Sequence, residues 1–221
     1  MNELQNLRAS LLDKVNYDVN EARKCFNFIV GDDSCKAQRV NSINPKDYAD
    51  GVYICYNDGH NELYDGNNPK DDVRGIGLVV GSHSLCVSLE DIDDTTLTNR
   101  DGESDYDKYI SDWDLARMDY DGAENTKHIQ KIGTGIKLAD GEYIPSLGEL
   151  YLIYLHKYKI NGALSYVYGK QIADDWYWSS TEYSAQHAWD LSFLNGSQHT
   201  GAKSSYQYRV RPVSVFIAST L

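Results

Sequence analysis

The chain has 221 residues and no apolar run approaching the ~18 that a bilayer-spanning helix needs. Its opening, MNELQNLRASLLDK, lacks the apolar core of a secretory leader. The expectation is an unsecreted chain without membrane insertion; a virion, the cytoplasm before assembly and the cell surface all stay open as locations. Basic residues are scarce. Twenty-one Lys and Arg face 33 Asp and Glu, a net charge of −12. Duplex nucleic acid and anionic membranes both require a basic face, so neither is expected as a partner. The four cysteines, at 25, 35, 55 and 86, form no CxxC pair, which speaks against a zinc site. Buried free thiols are expected ahead of a Cys25–Cys35 bridge. There is no HExxH and no GxSxG. Gly75-x-Gly77 lacks the third glycine of a dinucleotide fingerprint, because position 80 is Val. No cofactor is expected, and no enzyme.

Charge is also missing locally. From Tyr183 to Tyr208 the only formally charged residues are Asp190 and Lys203, in a chain that is 24% charged. The surrounding stretch, Trp176 to Pro212, holds Trp176, Trp178 and Trp189 among Ser, Tyr, Gln, His, Thr, Gly and Ala. Compact hydrogen-bonding groups and rigid amphipathic rings are what recognition surfaces use. Binding is therefore the leading reading.

Leu4, Leu7, Leu11, Val15, Val19, Ala22 and Phe26 recur at helical spacing and predict a helix over residues 2 to about 28. It serves either as an oligomerisation helix or as a helix packed on its own domain. Strands are predicted at Gly51–Tyr56, Gly75–Val80 and Ser84–Leu89, with turns at Asn57-Asp-Gly59 and Asp65–Pro69. Residues 90–121 carry twelve acidic and three basic residues. They predict a solvated acidic excursion with a helical turn or two near Tyr106–Met118. Calcium is the alternative, although the EF-hand register fails, with Arg117 and His128 at its first and last positions. The clearest helix spans 144–160. Ser146 and Glu149 form a capping box, Leu147, Leu150, Tyr151, Tyr154, Leu155 and Tyr158 repeat on the core face, and Asn161-Gly162 ends it. Strands follow at Trp176–Thr181 and Ala188–Phe193. In the second, alternation sets Trp189, Leu191 and Phe193 on one face and Asp190 and Ser192 on the other. Asn195-Gly196 makes a hairpin turn, and Tyr208–Phe216 closes the sheet with Val210, Val213 and Val215.

Three anchors occur in order: Tyr143-Ile-Pro-Ser146 with Glu149-Leu150; Tyr177-Trp-Ser-Ser-Thr-Glu182 with Ala188-Trp189; and Arg209-Val-Arg-Pro-Val213. Together with Asp50–Asp91 this order resembles bacterial and phage C-type-lectin-fold domains, including the variable proteins of diversity-generating retroelements. The resemblance covers most of residues 46–216. It implies an α+β, C-type lectin-like fold: a mixed short-stranded sheet with two or more helices, preceded by an N-terminal helix. The implied division is a helical segment over 1–45 and a ligand-binding domain over 46–221. By that pattern Trp178, Trp189, Phe193, Gly196, Arg209, Arg211 and Pro212 are framework. Tyr183, Ser184, His187, Asp190, Ser192, Ser197, His199, Thr200, Ser204, Ser205, Tyr206 and Tyr208 are display positions. Tyr143-Ile144 stands where Trp-Arg is common. The Glu-Pro-Asn and Trp-Asn-Asp motifs of calcium-dependent sugar lectins are absent.

The implied function is recognition of a protein or glycan receptor by a gut-bacterial or prophage protein, with the N-terminal helix supplying a homo-oligomer. Other readings are a non-diversified adhesin or phage structural component, an enzyme, and a metal-dependent lectin. For the last two the candidates are His187 with His199 as ligands and Asp190 with Glu182 as a carboxylate pair. The copper chemistry of formylglycine-generating relatives has no support, since no cysteine follows Cys86. Asn195-Gly-Ser197 matches a glycosylation sequon, without weight in the bacterial or phage context that the resemblance implies.

Overall fold

The computed structural model describes residues 48–100 and 109–216. The helix expected over residues 2–28 and the domain boundary near 45 lie outside the described residues, as does most of the acidic centre at 101–108.

Eleven strands and four helices are described, in a mixed α+β fold with two sheets. The first sheet runs β2-β1-β3-β4-β11-β6. Its strands are β1 (Gly51–Tyr56), β2 (Asn61–Leu63), β3 (Val73–Val80), β4 (His83–Ser88), β6 (Glu142–Tyr143) and β11 (Val213–Ser214), all paired antiparallel. The second runs β5-β10-β7-β8-β9, from β5 (Ile92–Thr95), β10 (Tyr208–Val210), β7 (Trp176–Glu182), β8 (His187–Ser192) and β9 (Gln198–Ala202). Only β10 and β7 pair in parallel there. The helices are α1 (Trp113–Ala116), α2 (Gly122–Ile132), α3 (Leu147–Leu155) and α4 (Lys157–Tyr166).

Two apolar clusters explain this arrangement. The larger joins Val52, Ile54, Ile76, Leu78, Leu85 and Val87 of the first sheet to Leu147, Leu150 and Ile153 of α3 and Ile160, Ala163 and Leu164 of α4. Tyr177, Trp189, Leu191 and Phe193 of the second sheet complete it. The smaller lies on the other side of the second sheet, where Trp178, Ala188 and Val210 pack with Leu97, Ile129, Ile136 and Ile144. The second sheet is therefore covered on both faces. At about 25 cal/mol per Å² of apolar area, each enclosed Trp and Leu contributes on the order of 2 kcal/mol.

The expected β1, β3 and β4 stand within a residue or two of their predicted ends. Cys55 and Cys86 are buried free thiols. Gly75 and Gly77 belong to β3 because of close approach: a Cβ on Gly75 would meet the Val87 carbonyl oxygen at 2.5 Å, and one on Gly77 the Phe216 ring at 2.6 Å.

α3 opens on the predicted capping box: the Ser146 hydroxyl faces the Glu149 amide and the Ser146 amide donates to Glu149 Oε2 at 2.7 Å. Its end differs from expectation. The helix breaks at His156 and resumes as α4, which carries Asn161 and Gly162 in its interior. Asn161 spends its side chain on Ile172 instead, donating to its carbonyl at 3.1 Å and accepting from its amide at 2.8 Å. The true stop is Tyr168, with φ 64°. The Tyr168 amide donates to Ser165 O and the Gly169 amide to Leu164 O, a Schellman pair. Leu155 and Tyr158, expected in the core, are exposed: Leu155 is the last residue of α3, and Tyr158 follows the break at His156, on the outer side of α4.

Two further expectations need correction. The acidic stretch is not wholly solvated: it contributes β5, and Asp91 and Asp119 are buried. The C-terminal strand is not one strand. Tyr208–Val210 joins the second sheet and Val213–Ser214 the first, so Arg211-Pro212 crosses between them and Val215 is exposed.

Candidate ligand-binding face

Strand pairing decides which polar residues meet. Asp190 on β8 sits opposite Trp178 on β7 and opposite His199 on β9. Ser192 sits opposite Trp176. Side chains directly opposite share a face, so Trp176, Trp178, Asp190, Ser192 and His199 face one way. Tyr208 of β10 joins them, its ring 4.8 Å from Trp178 and 6.1 Å from Trp176. Tyr206 stacks on Tyr208 at 5.8 Å, and His199 lies 5.6 Å from Trp176. Gly201, opposite Ala188, leaves room for the Trp178 ring; a Cβ there would come within 2.7 Å of it. The Trp178 indole N–H donates to Thr95 O at 2.8 Å and fixes the ring.

Asp190 is fully buried, and neither carboxylate oxygen has a hydrogen-bond partner. Burial pushes its carboxyl up to about 7. Burial raises the Tyr208 phenol to about 12, with the Asp190 charge and Tyr206 acting in the same direction. The rim is open: His199 and Tyr206 are exposed, and Trp176 and Tyr208 are half-buried. The result is a cluster of aromatic rings at the open edge of this face, with the unpaired Asp190 carboxylate enclosed inward of it.

Buried ion pairs hold this face in place. Lys203, the other charged residue of the polar stretch, pairs with Glu182, and both side chains are enclosed. Arg211 pairs with Asp91 at 2.6 Å and donates to Ser88 O and Lys170 O. Tyr177 donates to Asp91 at 3.1 Å, while Arg209 reaches Asp175 and Asp93. Burial raises the Asp91 carboxyl even though Arg211 pulls it down. Below β7, Thr181 and Asn125 donate to the Asp119 carboxylate, and Tyr143 and Ser146 donate to Glu149. Glu149 is raised to about 7 by burial, with the Asp119 charge adding to the shift.

The display positions do not form one continuous patch. Asp190, Ser192, His199, Tyr206 and Tyr208 gather on the face just described. Tyr183 packs edge-on against Trp189 at 5.5 Å, and Thr200 sits opposite Trp189, so both belong to the other face. Ser184 and His187 close the β7–β8 hairpin, Ser197 lies at the β8–β9 turn, and Ser204 and Ser205 lie in the turn after β9. Tyr183, Ser197, His199, Ser205 and Tyr206 are exposed, and Ser184, His187, Thr200, Ser204 and Tyr208 half-buried. Asp190 and Ser192 depart from open display: they alternate away from Trp189 as expected, but the smaller apolar cluster covers that face, leaving them 0% and 4% exposed.

His187 and His199 do not converge. Their ladder partners are Ala202 and Asp190, on opposite faces. Among the described residues no group of three or more His, Cys, Asp or Glu side chains is placed to hold a metal. Glu182 is committed to Lys203 and does not form a carboxylate pair with Asp190. Trp176 was read as part of the polar aromatic stretch and of a strand but not as a site residue; its alternation with Trp178 was the available signal. Trp113 was also missed: it is 46% exposed, meets Trp189 edge-on, and has the Arg117 guanidinium over its ring.

No protein-family model matches the chain, and no curated protein matches it. Among solved structures it is similar to a fimbrial protein from Bacteroides ovatus ATCC 8483, at 19% identity and a TM-score of 0.51. The match covers 76% of this chain and 49% of that one, so the chain spans about half its length. At that identity the similarity concerns the fold alone. Among the described residues no helix is long and apolar enough to cross a membrane.

Proposed function

We propose that this chain is a receptor-recognition protein of adhesin type, holding a polar aromatic face on a C-type lectin-like scaffold. It binds a protein or glycan and performs no chemistry. Within that class, the ordered motifs favour a diversity-generating-retroelement variable protein over a fixed adhesin. The observation that carries the reading is the division of residues 176–212. Trp178, Trp189, Phe193, Arg211 and Pro212 are buried, whereas Tyr183, Ser197, His199, Ser205 and Tyr206 are exposed. A framework that packs and a set of positions free to change is what such a protein requires. The fold shared with a fimbrial protein fits a role at a surface. Segment 1–45 serves, in this reading, to gather copies, so that weak single sites add by avidity.

The test is binding of the 221-residue protein to a printed glycan array and to immobilised mucin. The variant Tyr183→Ala/His199→Ala/Tyr206→Ala should lose binding and keep its melting temperature. Tyr208 is left intact because its ring packs on Trp178. Loss of folding in the triple variant, or undiminished binding, overturns the display assignment. For the retroelement reading, the flanking DNA should hold a reverse transcriptase gene and a near-copy of the codons for residues 176–215 differing at adenines; their absence returns the protein to a fixed adhesin.

A further inference from the structure

Arg117 caps the C-terminal end of α1 and is the one arginine among the described residues without an acceptor. Arg74, Arg100, Arg209 and Arg211 each donate to an oxygen of the fold. The Arg117 guanidinium instead lies over two rings, 5.2 Å from the centre of Trp113 and 5.0 Å from that of Tyr151 on α3. Its Nε is enclosed without a partner, whereas the two Nη groups are unpaired but not enclosed, so the forked end meets solvent. Asp112 and Asp114 flank Trp113, yet neither pairs with Arg117: Asp112 accepts from the Leu115 amide, and Asp114 is exposed. The setting is fixed by the fold. Trp113 meets Trp189 edge-on at 5.9 Å, the Trp189 indole N–H donates to Ile110 O at 2.7 Å, and the Ile110 amide donates to Glu182 O at 2.9 Å. On the other side the Arg117 carbonyl lies against Gly148 of α3. Trp113 is nevertheless 46% exposed, and the exposed Tyr183 is its neighbour across Trp189.

We infer that Arg117 and Trp113 form a subsite for an acidic sugar, whose carboxylate accepts from the open fork of Arg117 while its ring rests on the exposed part of Trp113. The inference rests on the recognition reading and adds to it the chemical class of one group bound. Guanidinium only donates, so the group it meets must be an acceptor, and its planar fork matches a carboxylate through two parallel hydrogen bonds. Stacking on Trp113 and Tyr151 holds the fork in one orientation before the ligand arrives, which lowers the ordering cost of binding. A single cation beside Asp112 and Asp114 suits one negative charge, and so favours a carboxylate over a phosphate monoester. The exposed indole supplies apolar area for the carbon face of a pyranose, which an acyclic carboxylate lacks.

The experiment follows tryptophan fluorescence and the indole NMR resonances of the 221-residue protein on titration with methyl glucuronoside. Methyl glucoside serves as the neutral counterpart and butyrate as a carboxylate without a ring. Saturable binding of the glucuronoside is expected at the resonance that Trp113→Ala removes, weakened about tenfold or more in Arg117→Gln. Arg117→Lys keeps the charge but not the fork and should recover little of the loss. Trp113→Ala is the second variant, in case replacing Arg117 alters packing; it should bring glucuronoside binding down to the level of butyrate. Equal affinity for methyl glucoside, equal affinity of the parent for butyrate, full recovery in Arg117→Lys, or no saturation at all overturns the inference. Array or mucin binding without glucuronoside binding sinks the subsite alone. Glucuronoside binding without any array or mucin binding leaves the subsite standing and removes its support from the recognition reading.

Discussion

Asp190 and His199 stand directly opposite each other across β8 and β9, yet the carboxylate is sealed and the imidazole is exposed. Paired residues share a face, so the difference comes from position in the sheet. β9 is the edge strand, while β8 lies one strand inward, beneath the smaller apolar cluster. The same face is thus both core and surface, and Asp190 lies at the transition.

Asp190 should make stability fall as pH rises. Its folded value of about 7 lies above the ordinary aspartate value of 3.8, so the folded state holds its proton longer than the unfolded chain. The contribution is complete below the unfolded value and is lost as pH passes through about 7. Glu149, also raised to about 7, acts in the same direction. Asp190→Asn should be more stable than the parent by about 1–3 kcal/mol near pH 8 and closer to it at low pH. Thermal melts across the pH range check this; a variant less stable at both extremes counts against it.

Lys203 and Glu182 form an enclosed ion pair. Lys203→Met removes the cation from a buried carboxylate and should cost about 3–5 kcal/mol. Lys203→Met/Glu182→Leu should recover much of that loss, as replacing both charges removes the desolvation penalty. Urea unfolding of the single and double variants gives the coupling. A double variant worse than the sum of its singles contradicts the account.

Tyr168 pays a backbone strain that glycine would not. Its φ of 64° lies in the left-handed region, and its side chain is 81% exposed. Tyr168→Gly should raise stability by up to about 1 kcal/mol, despite the loss of the contact with Lys70 at 5.0 Å from the ring. Differential scanning calorimetry would read this as a higher Tm.

Gly148 lets α3 approach the loop after α1. An added Cβ would lie 2.5 Å from Asp119 O and 2.8 Å from Arg117 O, both backbone atoms. Gly148→Ala should therefore destabilise by about 1–3 kcal/mol, despite alanine's better helix propensity. Circular dichroism melts decide the sign, and a stabilised variant would show that the loop yields.

Several elements were legible because their signals are local. The β-rich runs of β1, β3 and β4, the capping box of Ser146 and Glu149, and the left-handed turn at Gly196, φ 73°, depend on neighbours in sequence. Others were misread because a distant group outbid the local one. Asn161-Gly162 has the form of a helix stop, but Ile172 recruits the asparagine and the helix runs on. Ile92–Thr95 lies in an acidic stretch, but β10 offers it a partner. The candidate face was legible in composition and not in layout, since Tyr183 and Tyr206 sit on different sides of the sheet.

By itself the sequence determined the alternation along β8, the scarcity of charge between 183 and 208, and the acidic balance of the chain. These depend on residue identity and on the fixed period of a strand. Only the tertiary structure decided what lies over each face. Ile129, Ile136 and Ile144 come from far along the chain to cover the second side of the sheet, and their packing leaves Asp190 buried without a hydrogen-bond partner beside Trp178 and Tyr208. Burial and partnership depend on which segments meet in space.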